Sequence, residues 1–521
     1  MKQANSYSMS TRAEPRLRSV GLSDNMYRSL FRCNQFVLGP EIAPGLEDWT
    51  QVVVGPRLWL AAHPTLNVEQ VRTGAKTLTL LGHMLDPYAP EDDNRRILTR
   101  LLGSFESLEA LIAATGPLGG RWVIVAVDGE EAHLFNDPFG LRQVFYTLPS
   151  DVGELFAMSE AALGAAMLDL PVDDAAQAYV DSKVFRADEE YKWPMAASPF
   201  CGIRRLVPNH YLDLRRGVSR RYWPAQALPV PTLDEAVKRT GRILRGLVRA
   251  AANRFDLAVN VTCGIDSRVV FAACKDIADR VSFVTLRQWN MSNSSPDITI
   301  PAALLAKLGL KHEVILAPVT TTPEFGRIFK SNVYLAHDNY APDAEAILGH
   351  FGRKKVALTG SGGEVARCAG RRYLPYFDRK ILTPVYLSRW EMNGRHEYSE
   401  RYFKEWLQDV GAVGEINRLD LFEWEQGCGS WLAATQLEFD IAWKDIFTPF
   451  NSRELLTLML SVPPGYRKGY KPAFFLRVIE HLWPEVLQGP INPHLRQSLF
   501  GRYVGGTKQL LRHMAHVMRY R

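Results

Sequence analysis

From Phe36 to Trp223 apolar residues come in short runs separated by turn residues: QFVLG, QVVVG, RLWLAA, TLTLLG, RWVIVAV, AHLF, QVFYT and HYLDL. Short apolar or alternating runs bounded by turns predict strands, so this stretch is expected to be β-rich with few long helices. Between two such runs, Val127-Asp128-Gly129-Glu130 is a hairpin signal, because Asp-Gly accepts the positive φ of a tight turn. Pro208 to Leu214 is expected to form the last strand. After Tyr222-Trp223-Pro224, the run ALPVPT has the proline content of a linker.

At Thr232 the pattern changes. Thr232 with Glu235 three residues on makes a capping box, and Val237, Ile243, Leu244, Leu247, Val248 and Ala251 keep helical spacing behind it, which predicts a helix over 233–253. Strand-like and helix-like segments then alternate: LAVNVT, SRVVFAACKDI, VSFVTLR, DITIPAALLAKLGL, HEVILA and KVALTGSGG. Such alternation predicts βαβ units and a parallel sheet. From about residue 370 the chain is expected to be mainly helical, with an aromatic-rich stretch at FEWEQGCGSWLAATQLEFDIAW. The expected division is a flexible N-terminus over 1–25, a first domain over 26–224 and a second over 232–521.

Composition narrows this. At roughly 100–200 residues per domain, 521 residues allow two or three domains. A hydrophobic share of 46% against 23% charged excludes global disorder and collagen-like repetition. The net charge of +6, from 62 Lys+Arg against 56 Asp+Glu, is too small to argue for nucleic acid as a partner. Much of that excess lies in Arg502, Lys508, Arg512, Arg519 and Arg521, expected to be a solvated helix. Six cysteines, Cys33, Cys201, Cys263, Cys274, Cys368 and Cys428, contain no C-x-x-C pair, which favours a reducing cytoplasm over a disulfide framework or zinc site. No apolar run is long enough for a leader or a membrane span, so a cytoplasmic protein is expected.

The candidate chemistry begins at Leu257–Arg268, LAVNVTCGIDSR. A buried strand runs through a tight turn straight into a helix, whose free N–H groups and positive dipole end suit phosphate. An aspartate on that turn, Asp266, would repel phosphate unless a Mg²⁺ ion bridged them. The alternative is an ordinary strand-to-helix turn with Asp266 and Ser267 as cap residues. Neither G-x-x-x-x-G-K-S/T nor G-x-G-x-x-G is present. A second strand, Val356-Ala357-Leu358, ends in Thr359-Gly360-Ser361-Gly362-Gly363-Glu364. In a parallel sheet both turns would meet at the carboxyl edge, where Asp266 and Glu364 could share the ion.

These residues resemble the asparagine synthetase-like amide ligases, of which β-lactam synthetases and lasso-peptide macrolactam cyclases are divergent members. The family's S-G-G-x-D-S loop is matched by Thr262-Cys263-Gly264-Ile265-Asp266-Ser267, and its S-G-E-G-A-D segment by Thr359 to Glu364. Ser295-Pro296-Asp297, the run Ala303 to Val314, and Thr448-Pro449-Phe450-Asn451-Ser452 are similar to later family segments. Gly120 to Val125 and Asn136 to Tyr146 resemble the second half of a class II glutamine amidotransferase domain. The fold implied is an N-terminal αββα Ntn-type sandwich, then a parallel-sheet α/β ATP-pyrophosphatase domain with a helical C-terminal part.

The resemblance implies adenylation of a carboxylate by ATP, release of pyrophosphate, and attack by an amine. Asp266 and Glu364 would hold Mg²⁺, Gly264 and Ser267 with Thr262 and Cys263 would form the pyrophosphate loop, and Asn260, Thr285, Thr359 and Gly360 would line the adenosine. The family's late catalytic lysine would be replaced by Arg496 or Lys471. Lys2 stands where the family's nucleophilic cysteine would be, and Leu81-Gly82-His83 replaces its glutamine-holding segment, so no glutamine hydrolysis is expected. Ser361 takes the place of a Glu or Tyr and cannot act as a base unaided. Small-molecule or peptide carboxylates with an amine nucleophile are the expected substrates, and a homodimer mate or pathway protein the expected partner. Competing expectations are a non-catalytic scaffold and a sulfur-transferring pyrophosphatase acting on tRNA. The cysteine spacing and small net charge disfavour the latter. Trp424, Trp431 and Trp443 could line a substrate pocket or simply be core.

Overall fold

The computed structural model describes residues 29–186, 190–225, 227–367, 382–392, 394–412, 416–469 and 471–493. The expected flexible terminus 1–25, the basic tail and Arg496 lie outside the described residues.

The described chain is a mixed α/β protein with two antiparallel sheets, one parallel sheet and helices. The antiparallel strands are β1 (Phe36–Gly39), β2 (Thr50–Gly55), β3 (Leu58–Ala62), β4 (Val68–Thr73), β5 (Lys76–Leu85) and β6 (Gly119–Asp128). They continue with β7 (Glu131–Asn136), β8 (Phe145–Thr147), β9 (Ala157–Met158), β10 (Ile203–Arg205), β11 (His210–Asp213) and β12 (Val218–Arg221). One sheet runs β10-β8-β9-β1-β3-β2 and the other β12-β11-β7-β6-β5-β4.

After Arg121 the run WVIVAV is apolar throughout because β6 is covered on both faces. Val123, Val125 and Val127 meet Leu38, Leu60 and Leu134 in a core that draws on both sheets. Ile124 and Ala126 face Ile97, Leu98 and Leu101 of α1 (Asn94–Gly103) and Leu111 of α2 (Leu108–Ala114). On the far side of the other sheet, Val37 and Ala61 pack against α3 (Ala161–Leu168). The Asp-Gly signal forms the β6–β7 hairpin, with Asp128 paired to Glu131 and Gly129 at φ 57°. HYLDL is not the last strand, as β12 follows it. The VSRR of β12 is an exposed edge with no apolar signal to read.

The capping box at Thr232 is formed in both directions and starts α4 (Leu233–Ala252). The parallel sheet follows, with β13 (Leu257–Asn260), β14 (Ser282–Arg287), β15 (His312–Leu316), β16 (Val356–Leu358) and β17 (Asp445–Phe447) in the order β15-β14-β13-β16-β17. Val259, Phe283 and Leu358 face α4, α5 (Ile265–Ala273) and α6 (Pro296–Lys307). Ala258, Val284 and Ala357 face α7 (Ala341–Phe351) and α8 (Ala433–Phe439). Within the part expected to be helical, β17 is a strand, and Glu423–Leu432 winds as a π-helix.

The antiparallel and parallel parts are joined through buried charge. Arg121 of β6 makes a two-pronged contact with Asp440 at 2.6 and 3.0 Å, and Arg142 donates to Asp445 at 2.9 Å. A second junction ties β11 and β12 to the helical region: Asp409 accepts from Arg221 at 2.7 Å and meets His210 at 2.9 Å. Burial alone would raise the Asp409 carboxyl, but His210 and Arg221 outweigh it and pull it down to about 2. A carboxyl depressed in the folded state adds stability above its ordinary range, near pH 4, and that contribution is lost as pH falls toward 2. The stability difference between the protein and Asp409→Asn, followed by urea midpoints, should therefore shrink as pH drops from about 4 to about 2.

No helix among the described residues is long and apolar enough to cross a membrane.

Candidate functional site at the carboxyl edge of the parallel sheet

Strand β13 sits at the centre of the parallel sheet, with β14 on one side and β16 on the other. The chain leaves β13 into the turn 261–264 and α5, and leaves β16 into the turn 359–362 and a short helical turn, Gly363–Ala366. These turns are in direct contact. A Cβ placed on Gly360 would lie 2.6 Å from the Ser267 nitrogen, and one on Gly363 would lie 2.7 Å from Asp266 Oδ1. Gly362, at φ 90°, could not take a side chain without strain and approaches the Phe139 ring of the antiparallel part. Glycine at these positions is what lets the second turn seat against the start of α5.

Side chains engage the N–H groups of the first turn. The Cys263 N–H donates to Asp297 Oδ1 at 3.1 Å, the Gly264 N–H to Thr262 Oγ1 at 3.1 Å and the Ile265 N–H to Asn492 Oδ1 at 3.0 Å. Thr262 and Ser267 hydroxyls are 2.9 Å apart. The Cys263 thiol also donates to Asp297, at 2.9 Å, and burial with that carboxylate pushes it up to about 12. It is a neutral loop residue. Asp266, in the first turn of α5, pairs with Arg367 at 2.6 Å, while Glu364 accepts from the Gly362 N–H at 3.0 Å.

Thr262, Cys263, Gly264, Asp266, Ser267, Gly360 and Glu364 thus come together at the two turns. Thr285 does not join them: strand alternation points it toward the α5 side, where its hydroxyl donates to Val261 O and meets His312. Lys471 is exposed beyond the helix turn Pro464–Arg467.

Asn260 and Thr359 face the opposite side and line a cavity of about 260 Å³ between the sheet, α7, α8 and the end of the π-helical segment. Val284, Leu286 and Ile315 form its floor, and Tyr340, Phe439 and Trp443 add aromatic wall. Of the three tryptophans singled out in the sequence, Trp443 lines the cavity. Trp424 is core and donates to Pro138 O, and Trp431 packs at the edge of the core. Sequence patterns did not single out Asp343 and Gln436, which also line the cavity. Nor did they reveal Glu423 of the π-helix, whose carboxyl is pushed up to about 8 by burial and by the charges of Glu391 and Glu364.

No family model and no curated protein matches the chain. Among solved structures it is similar to glutamine phosphoribosylpyrophosphate amidotransferase from B. subtilis complexed with ADP and GMP. That likeness has 10% identity and a TM-score of 0.22, over 77% of this chain and 92% of the other.

Among the described residues no group of three or more His, Cys, Asp and Glu side chains is arranged to hold a metal ion. Of the carboxylates next to the loop, Asp297 is taken up by the Cys263 N–H and thiol, and Asp266 and Glu364 stand on the two touching turns. Such a pair fits Mg²⁺ accompanied by phosphate, because that ion takes one or two protein carboxylates and completes its shell from phosphates and water.

Proposed function

We propose that the chain is an ATP-dependent amide ligase that adenylates a carboxylate and passes the acyl group to an amine, without hydrolysing glutamine. The observation that carries this reading is the switch point. From β13 the chain goes on to β14 and from β16 to β17, in opposite directions across the strand order, at the carboxyl edge of a parallel sheet, the place where open α/β sheets take ligands. A helix start, a glycine-rich turn and two carboxylates meet there.

In this reading a carboxylate oxygen attacks the α-phosphorus of ATP and the bond to the β-phosphate breaks, releasing pyrophosphate. An amine then attacks the activated carbonyl, loses a proton and displaces AMP. The start of α5 and Ser267 would orient the phosphates, and Asn260 and Thr359 would stand near the nucleoside. Bound Mg²⁺, held by Asp266 and Glu364, would supply charge neutralisation on the triphosphate. Arg367, beside Asp266, would be a further cation for the departing pyrophosphate. The carboxylate would be a small molecule or a peptide, nucleic acid would have no part, and the setting would be the cytoplasm.

The antiparallel part would be an Ntn-type αββα sandwich of the glutamine amidotransferase kind without its nucleophile. Supporting this are two six-stranded sheets with helices on their outer faces, and the state of Cys33. That thiol is buried, and burial pushes it up to about 12, which keeps it protonated and unreactive.

Carboxylate-dependent exchange of labelled pyrophosphate into ATP tests the ligase. Exchange is expected in the native protein and should be lost in Asp266→Ala. Its absence with every carboxylate of a broad panel would sink the proposal. A non-catalytic scaffold is the second reading, favoured by the way Asp297, Thr262 and Asn492 already satisfy the loop N–H groups. Calorimetry with ATP and Mg²⁺ separates the two, since a scaffold gives no binding heat.

A further inference from the structure

The start of α5 draws one of its caps from far along the chain. Gly264, at the N-cap position, has no side chain with which to cap the helix, and the Ile265 N–H donates instead to Asn492 Oδ1 at 3.0 Å, 227 residues away in sequence. The Asn492 N–H donates to Cys263 O at 2.9 Å, so this one residue bridges the turn. Asn492 is 8% exposed and sits at φ 50°, a left-handed conformation that glycine and asparagine adopt more readily than other residues.

The segment that carries Asn492 is held by Arg268, a residue of α5 that is 1% exposed. Its guanidinium donates to Val486 O at 2.6 Å, Gln488 O at 3.3 Å and Pro490 O at 3.2 Å. Among the described residues no carboxylate pairs with it. Burying a cation costs free energy, and here the carbonyls of one segment offset that cost. The grip ends at Pro490, two residues short of Asn492, so the tip can part from the turn while the rest of the segment stays on α5.

Asn492 Oδ1 is a neutral acceptor on a donor that, at a helix start, favours an anionic oxygen. A phosphate oxygen makes the stronger, charge-assisted bond. A second feature beside the turn also suits an anion: Arg367 is 8% exposed, donates from Nη2 to Asp266, and its buried Nε has no acceptor among the described residues. We propose that Asn492 is a displaceable cap, an autoinhibitory stand-in for a phosphate oxygen on the Ile265 N–H, anchored through Arg268 and withdrawn when a pyrophosphate group binds. This adds a regulation to the proposed ligase site and rests on that reading for the identity of its ligand. It also reconciles a loop whose N–H groups are engaged by side chains with a loop that takes phosphate.

The test is calorimetric titration of the full chain with inorganic pyrophosphate and Mg²⁺, together with amide hydrogen exchange followed by mass spectrometry. Asn492→Gly keeps the left-handed backbone and removes the oxygen, so it should bind pyrophosphate about threefold tighter than the native protein. Asn492→Asp sets a charge on the same N–H and should bind it about fivefold weaker, since a carboxylate at a helix start is favoured and repels phosphate. Thermal melting confirms that both variants are folded. In the native protein pyrophosphate should slow hydrogen exchange over 263–267 and speed it over 484–492. Equal affinities in the three proteins, weaker binding in Asn492→Gly, or slowed exchange over both segments would each overturn the proposal. Carboxylate-dependent exchange of pyrophosphate into ATP with unchanged affinities in the variants keeps the ligase reading and loses this one. Opposed affinities in the two variants without any such exchange keep the displaceable cap and lose the ligase.

Discussion

Asp440→Ala should lower stability by about 3–5 kcal/mol, the usual consequence of leaving one member of a buried ion pair without its partner. Arg121 and Asp440 are 0% and 1% exposed at their side chains, so water cannot take over the lost contact. The Asp440 carboxylate also accepts from Asn34 at 3.1 Å, so one truncation takes the partner from two donors, Arg121 and Asn34. Asp445 stays within 3.3 Å of Arg121 but already serves Arg142, which caps the rescue it can give. Urea unfolding followed by circular dichroism checks the loss. The double variant Arg121→Met with Asp440→Leu should recover part of it, because removing both charges leaves no orphan. A loss below about 1 kcal/mol for Asp440→Ala would mean that the junction is hydrated and that the charges hold little.

Gly360→Ala should cut pyrophosphate exchange by about a hundredfold while the protein remains folded. The added Cβ would fall 2.6 Å from the Ser267 nitrogen and 2.9 Å from its Cα, both backbone atoms that no rotamer change can clear. The turn after β16 must therefore move away from the start of α5. A displacement of about 1 Å in positioning groups is enough for a loss of that size. Gly103→Ala is the control, since a Cβ there meets no atom within 4 Å. Exchange that survives in Gly360→Ala at more than about a third of the native rate would show that the two turns do not act together.

How much of this was legible in the sequence differs from element to element. RWVIVAV, the Asp-Gly hairpin and the Thr232 capping box announced themselves because their signals are local: a short unbroken apolar run, one turn geometry, one reciprocal pair of hydrogen bonds. Strand β12 carried no such signal, being an edge of charged residues held by pairing alone. The π-helix at Glu423–Leu432 was invisible for a related reason, since its winding differs from an α-helix by hydrogen-bond register and not by residue pattern. At the site, the two turns could be read because strand, glycine and acid stand side by side in the chain. Asp297 and Asn492, which close the first turn, come from distant segments. Thr285 was misplaced because facing depends on strand phase at a sheet buried on both sides, where apolar and polar positions no longer alternate. Asp343 and Gln436 are single polar residues on mostly apolar helices, and helical periodicity does not say which polar residue turns inward.

The charged junction also has a bearing on biosynthesis. The twelve antiparallel strands among the described residues are complete by Arg221, and translation delivers them first. Yet Arg121 and Arg142 find their countercharges in Asp440 and Asp445, which leave the ribosome far later. Strand β16 likewise awaits β17 at Asp445–Phe447 before its second edge is covered. For that whole interval the nascent chain carries two guanidinium groups and a strand edge that must stay solvated or be shielded by a chaperone. Cutting the gene between residues 224 and 232 would leave the two guanidinium groups permanently without their countercharges, so the two halves should be recovered in good yield only when produced together.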